Sequence, residues 1–371
     1  MTELTDAQRS ELLRHGFDEA LLTRWRQALK KKQLSKKANA IQSPLLAPET
    51  GSIHDLPRRD SPAGELLERW GKEGVRRGEL GVVVLNGGMA TRFGGVVKGI
   101  VPVLGERRSF LGLKMEDVQR AQERHGGRIE VFLMNSFATE QATQEHFERH
   151  GNFGLDPDQV HHFNQFVSVR LTKSGDLFLD EKGELSRYGP GHGDFAPAIR
   201  ASGLLGQFLA RGGKHLFVSN VDNLGARIDA VVLGHHIDSN AEVTVEVAPK
   251  WPGDVGGSPF VVDGTVQLVE QIRYPRDFDP EIVDVFNTNT FHFLAEALQR
   301  EFPLEYYYVE KKVNAQPAVQ MERLIGEMTR FLRASFVKVK RTGTENRFFP
   351  IKTPEDLEAG REEIAAMYPS S

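Results

Sequence analysis

A chain of 371 residues, 39% hydrophobic and 26% charged, has the length and composition of a globular protein with one large core and an appendage, or with two domains. It contains no cysteine, which excludes disulfides, thiolate metal sites and a cysteine nucleophile; no stretch approaches the ~18 continuous apolar residues of a membrane helix. A net charge of −4 argues against general nucleic-acid binding, so any anionic ligand must be met by locally concentrated cations. With no apolar signal core at the N-terminus, a cytoplasmic protein without a membrane partner is expected.

In chain order, residues 1–40 read as helical, with Asp6 capping a helix through His15 and Asp18 a second one carrying Leu21, Leu22, Trp25 and Leu29. The basic run Lys30–Lys37 reads as a solvated helix end, with contact to nucleic acid or anionic lipid as the alternative. Pro44, Pro48, Pro57 and Pro62 then mark a linker or a strap, and Glu65–Arg77 resumes as a helix. From Leu80 strands and helices alternate, which signals an α/β sheet. Strands are expected at Val82–Leu85, Ile129–Met134, His215–Ser219 and Glu242–Val247. Helices are expected at Leu111–Arg124, Thr139–Arg149, Pro197–Arg211 and Ile228–Ser239. Asp263-Gly264 between FVV and TVQLV signals a two-residue hairpin.

Ligands gather at the carboxyl ends of the strands in such sheets, and three polar clusters fall there: a glycine loop after Leu85, Asn135-Ser136, and Asn220–Asn223. The loop holds Gly87, Gly88, Gly94, Gly95 and Gly99 with Arg92 and Lys98 among them. Glycine lets main-chain N–H groups approach a ligand and form an anion-binding nest, and the two cations suit it to a polyphosphate. Neither G-x-x-x-x-G-K-[ST] nor G-x-G-x-x-G is present. A flexible surface loop is the other reading, which the buried strand before it disfavours. In LFVSNVDNLGARID (216–229) a buried strand delivers Asn220 and Asp222 to the crevice, where a lone carboxylate suits Mg²⁺ or else caps the next helix. In YGPGHGD (188–194) neutral His192 can donate to a phosphate or hydroxyl, or the segment is simply a turn.

These stretches resemble the UDP-glucose pyrophosphorylase family (UTP–glucose-1-phosphate uridylyltransferases). LNGG followed by a Thr, a further Gly and a Lys is similar to its nucleotide loop, although Met89-Ala90 replaces Leu-Gly and Val97-Lys98-Gly99 replaces Pro-Lys-Ser. VSN-x-DNLGA-x-x-D follows the family pattern nearly letter for letter. YGPGHGD resembles YPPGHGD, with only Gly189 departing, and LMNSF (133–137) and FNQ (163–165) match family segments. Further on, Val255–Glu270 resembles the sugar-facing hairpin, FNTNTF (286–291) the sugar-binding stretch, and VQMER (319–323) and RFFPIKTPEDL (347–357) the closing motifs. The resemblance runs collinearly over roughly residues 80–360.

The resemblance implies a Rossmann-like α/β nucleotidyltransferase with a mixed, mainly parallel central sheet. A helical segment, 1–78, would precede a catalytic domain, 79–371, with a short C-terminal part. The implied reaction is reversible, Mg²⁺-dependent transfer of a uridylyl group from UTP to glucose 1-phosphate by in-line attack. Arg92, Lys98 and Lys352 would serve catalysis, and Leu85, Gly87, Gly88, Gln165, Gly191 and Asn220 the nucleotide. His192, Gly257, Glu270, Asn287 and Asn289 would hold the sugar phosphate, with Asp222 on magnesium. In FNTNTF, amides at alternate strand positions would point to one face; a hydrogen-bonded turn is the alternative. With about one helix after Lys352, Pro354–Met367, a monomer or weak dimer is expected. Arg92, and Val255 where the glucose enzymes carry Lys, keep a UDP-N-acetylhexosamine pyrophosphorylase open, and a non-catalytic UDP-sugar sensor is a further alternative.

Overall fold

A computed structural model describes residues 3–313 and 315–369. Eight strands form the central sheet: β1 (Ile53–Asp55), β2 (Leu80–Leu85), β3 (Glu130–Asn135), β4 (Val160–Asn164), β5 (His215–Asn220), β6 (Val243–Pro249), β7 (Val285–Leu294) and β8 (Ala334–Lys338). Their order is β1-β8-β6-β7-β5-β2-β3-β4. Only β7 runs antiparallel to its neighbours, so the sheet is mixed and mainly parallel as expected.

Burial on both faces explains why the strands read as apolar runs. Successive residues of β2 face opposite sides. Val83 and Leu85 join Phe132, Val218 and the helices α6 (Phe195–Ala201) and α7 (Leu204–Ala210). Val82 and Val84 join Leu133 and Phe217 on the other face, covered by α4 (Phe110–His125), α5 (Glu140–Arg149), α8 (Ala230–Asp238) and α9 (Pro354–Met367). The single helix expected over 197–211 is two, because Gly203 takes φ +77° between them and turns the chain. The Asp263-Gly264 hairpin forms with both residues at positive φ, joining Ser258–Val262 to Thr265–Val269.

The stretch before residue 79 does more than form helices. The helix α1 (Asp6–Leu13) is capped by Thr5 rather than by Asp6, through a reciprocal capping box with Gln8, while Asp18 caps α2 (Glu19–Lys30) as expected. Both helices bury Leu12, Phe17, Leu22, Trp25 and Leu29 against Val167, Val169, Leu171 and the Tyr307–Val313/Gln316–Glu322 ribbon. The proline-marked stretch is a strap: Ile41 N–H donates to Arg273 O at 2.8 Å and Leu46 bridges Val261. It then supplies the edge strand β1 and the helix α3 (Pro62–Arg76). Among the described residues no helix is long and apolar enough to cross a membrane.

A buried ion pair ties the RFFPIKTPEDL segment to the sheet. The Arg347 guanidinium donates twice to the Glu246 carboxylate on β6, at 2.6 Å each, and His292 stands 3.2 Å from the same group. Burial opposes the charge on Glu246, and Arg347 more than offsets it, so the carboxyl titrates below its ordinary range. Arg347→Met is expected to cost about 3–5 kcal/mol in urea denaturation, because it leaves the buried Glu246 carboxylate without its guanidinium partner and with only His292 beside it. Adding Glu246→Leu should recover much of that loss. A single variant within 1 kcal/mol of the parent would refute the structural role of the pair.

Candidate active site

The sheet order reverses between β2, from which the chain proceeds outward through β3 and β4, and β5 on its other side. Ligands of α/β sheets bind at such a switch point. Leu85 pairs in register with Asn220 and Met134, so all three sit at the carboxyl edge there. Asn86, fully buried, donates its amide to Asn135 Oδ1 and Thr143 Oγ1, both at 2.8 Å. Ser136 Oγ donates to Gly87 O at 3.0 Å. Asn135-Ser136, one of the polar clusters at the strand ends, thus braces the glycine loop.

Beyond Gly88 the loop folds back as a short ribbon, Met89–Ala90 against Val96–Val97. It returns Lys98 beneath the loop, only 7% exposed, with Nζ 4.1 Å from the centre of the Phe93 ring and 4.9 Å from that of Phe110. The ammonium has no hydrogen-bond partner among the described residues, and the two ring faces hold it by cation–π attraction. Burial lowers its pKa, against the pull of Asp222 and Asp356. Such a cation is pre-positioned for an incoming anion.

Gln165 is reached from the other side. Its backbone N–H donates to Asn135 O at 2.9 Å, and its side-chain amide lies against two glycines. A Cβ on Gly87 would fall 2.6 Å from Gln165 Nε2 and one on Gly189 would fall 2.1 Å from it. Both positions therefore require glycine while the amide keeps this place. Gly189 is where this chain departs from the family's proline, and a side chain there would have to move the flexible end of Gln165.

In the YGPGHGD loop, His192 Nδ1 accepts from the Ile325 N–H at 3.0 Å, which leaves the ring proton on Nε2. Burial holds its pKa near 4, so the ring is neutral. Buried Asp194 accepts from Phe166 N–H at 3.0 Å and from Arg323 Nε at 2.5 Å. Gly193 N–H donates to Arg323 O and Arg323 N–H to Pro190 O. VQMER thus acts here as a brace for the glycine-histidine loop.

Asp222 follows β5 and does not cap the next helix; Asp229 does that. The Asp222 carbonyl accepts from Ile351 N–H at 3.0 Å, Leu224 N–H donates to Phe349 O, and Asn223 Oδ1 accepts from Phe349 N–H at 2.8 Å. These bonds zip residues 349–351 to 222–224 and bring Lys352, exposed just ahead of α9, to the cleft. Beneath them lies Lys114, which the sequence reading missed. Its buried Nζ donates to Ser219 Oγ (3.2 Å), Asn223 O (2.8 Å) and Ala226 O (2.6 Å), and burial brings its pKa to about 8. Burial raises the Asp222 pKa, while Lys98, Lys352 and Lys114 pull it down.

A cavity of about 470 Å³ collects eleven of the expected residues: Leu85, Gly87, Gly88, Arg92, Lys98, Gln165, Gly191, His192, Asn220, Asp222 and Lys352. Gly257, Glu270, Asn287 and Asn289 are not in its wall but continue from it. Asn289 Nδ2 donates to Asn220 Oδ1 (2.9 Å), Asn289 N–H to Asn287 Oδ1 (2.9 Å), and Asn287 Nδ2 to Glu270 Oε1 (3.3 Å). The two amides do not alternate along a regular strand. A bulge opposite Glu246/Val247 puts Asn289 at φ +55°, so the segment forms a hydrogen-bonded turn that links Asn289 to Asn220. Val255 stands in an open loop, 69% exposed.

Glu270 carries a testable charge. Burial and the nearby Glu327 carboxylate raise its pKa to about 7, so the folded protein favours its neutral form. The stability this contributes is full below the ordinary carboxyl pKa and is lost as pH rises to about 7. Glu270→Gln is therefore expected to raise Tm relative to the parent at pH 8 more than at pH 4.5. Equal Tm shifts at the two pH values would contradict it.

Residues 27–367 match the family described as UTP–glucose-1-phosphate uridylyltransferase. The chain is 33% identical over 294 residues to the protein of that name from Hordeum vulgare, covering 75% of this chain and 61% of the relative. To the one from Saccharomyces cerevisiae it is 30% identical over 298 residues, covering 75% and 58%. The chain thus spans about three fifths of the length of these curated relatives. Among solved structures, UDP-N-acetylglucosamine pyrophosphorylase from Trypanosoma brucei aligns with TM-score 0.78 at 21% identity, covering 97% of this chain and 79% of that one. A mutant of UDP-glucose pyrophosphorylase from Leishmania major aligns with TM-score 0.70 at 22% identity, covering 96% and 79%. The structures establish a shared fold, and with the match over residues 27–367 the chain belongs to the UTP–glucose-1-phosphate uridylyltransferase family.

Proposed function

We propose that the protein transfers the uridylyl group of UTP to glucose 1-phosphate, releasing pyrophosphate. The observation that carries this reading is one cleft at the switch point holding a glycine loop, two side-chain amides, three cations and one carboxylate among the described residues. No covalent intermediate is needed: the sugar-phosphate oxygen attacks the α-phosphorus in line as the bond to the pyrophosphate oxygen breaks, so catalysis is positioning and charge neutralisation. Gln165, with both donor and acceptor atoms, reads the uracil edge over Gly87 and Gly88. Leu85, Gly191 and Asn220 line the nucleotide's path. Lys98 and Arg92 take up charge on the departing pyrophosphate, and Lys352 on the reacting phosphates. Neutral His192 donates from Nε2, and Glu270, Asn287, Asn289 and the Gly257 backbone hold the sugar.

Among the described residues no group of three or more His, Asp or Glu is arranged to hold a metal ion. A single carboxylate that makes no ion pair, in a cleft open to phosphates and water, still fits Mg²⁺, which takes few protein ligands. Asp222 would hold it, and the ion would supply Lewis-acid neutralisation of phosphate oxygens. The test is pyrophosphate release with UTP, Mg²⁺ and a panel of sugar 1-phosphates. Glucose 1-phosphate should be turned over fastest. Faster turnover of N-acetylglucosamine 1-phosphate would overturn the sugar assignment, and no turnover of any would leave a UDP-sugar sensor.

A further inference from the structure

The α1–α2 turn lies directly behind the segment that carries Gln165. Val167 N–H donates to His15 O at 3.0 Å, which joins the turn to that segment in one backbone hydrogen bond. Gly16, at φ +69°, meets the Phe166 ring: a Cβ there would lie 2.4 Å from Cδ1 and 2.9 Å from Cε1. On its other side Phe166 faces the Arg323 guanidinium, 5.7 Å from the ring centre, and its N–H is held by Asp194. Phe166 is thus wedged between the N-terminal turn and the brace of the glycine-histidine loop, one residue from the amide that lies against Gly87 and Gly189.

We infer that the α1–α2 turn backs the segment that carries the base-reading amide, and that Gly16 is a positioning residue which sets selectivity for uracil by fixing Phe166 and therefore Gln165. This rests on the uridylyltransferase reading above. A side chain at position 16 must push the ring by about 1 Å to reach ordinary contact distance. A cavity of about 230 Å³ beside the ring, lined also by Trp25, Pro190, Tyr306 and Arg323, gives it somewhere to go. With Phe166 shifted, the Gln165 amide loses its place, and a base-edge hydrogen bond left unmade costs on the order of ten- to a hundredfold in affinity.

The experiment uses the full chain. UTP and CTP dissociation constants are measured by calorimetry without sugar phosphate, and kcat and KM are measured separately in the pyrophosphate assay. Gly16→Ala is expected to weaken UTP at least about tenfold and to narrow the UTP:CTP ratio, with kcat at saturating UTP within about twofold of the parent. Gly51→Ala, also at positive φ (+91°) but with no heavy atom within 4 Å of the new Cβ, controls for backbone strain and should leave both ratios unchanged. Phe166→Leu removes the wedged ring, should act in the same sense, and decides the matter if Gly16→Ala does not fold. UTP affinity and selectivity within twofold of the parent in a folded Gly16→Ala or Phe166→Leu would overturn the inference. A parent that binds UTP selectively without turnover would defeat only the catalytic reading, and the binding ratios would still decide this one. A parent with no preference for UTP would defeat the inference itself.

Discussion

Asp222→Asn should lower the metal-dependent rate by on the order of 10³-fold or more while the protein stays folded. The change preserves volume and the main-chain bond from Ile351 N–H to the Asp222 carbonyl, which holds the Lys352 segment in place. What it removes is the carboxylate that, among the described residues lining the cleft, stands with Arg92, Lys98 and Lys352. A neutral amide holds Mg²⁺ weakly, so several kcal/mol of transition-state charge stabilisation is forfeited, at about 1.4 kcal/mol per factor of ten. The loss should shrink as magnesium is raised, because mass action partly restores occupancy. The measurement is initial rate against magnesium concentration for parent and variant, with circular dichroism as the folding control. A variant with parental rate at ordinary magnesium would place the metal ligand elsewhere.

Lys352→Ala should lower kcat by on the order of 10²-fold with a smaller change in the KM for UTP. The lysine is exposed just ahead of α9, with its backbone N–H held by Asp356 at 2.9 Å, so truncation removes a charge without opening the core. Its charge acts on Asp222 in the free protein and is available to phosphate oxygens as negative charge moves onto pyrophosphate. Lys98 makes the contrasting case. It is buried on two aromatic rings and oriented before substrate arrives, so Lys98→Met should raise the KM for UTP as well as lower kcat. Steady-state kinetics of the two variants separates a cation that binds from one that acts mainly in the transition state. An unchanged kcat in Lys352→Ala would leave Lys98 and Arg92 to serve the phosphates alone.

The neighbouring structures include enzymes named for either glucose or N-acetylglucosamine, so the fold is common to both sugars. In the proposed reading the sugar end lies beyond Asn220, along the hydrogen-bonded set Asn289, Asn287 and Glu270 and near the open loop carrying Val255. Turnover of the sugar 1-phosphate panel therefore reads this end of the cleft, whereas the nucleotide variants read the other.

Much of the architecture was legible because its signals are local. The apolar runs of β2, β3, β5 and β6, the Asp263-Gly264 turn and the Asp18 cap each depend on neighbours a few residues away, and each formed where expected. So did the placement of the glycine loop and of Asn220 and Asp222 at strand ends, since a buried parallel strand must deliver its last polar residues to the carboxyl edge. The N-terminal cap moved to Thr5 and the 197–211 helix broke at Gly203, because a capping box and a positive φ outweighed weak helical periodicity. What no window of sequence contains is a partner from far along the chain. Lys114 meets Asn223, Asn86 meets Thr143, His192 takes the Ile325 N–H, and Asn289 turns on a bulge to meet Asn220. In each of these pairs the side chain's role is set by the group that satisfies its hydrogen bond in the folded interior, and only the tertiary structure brings that group within reach.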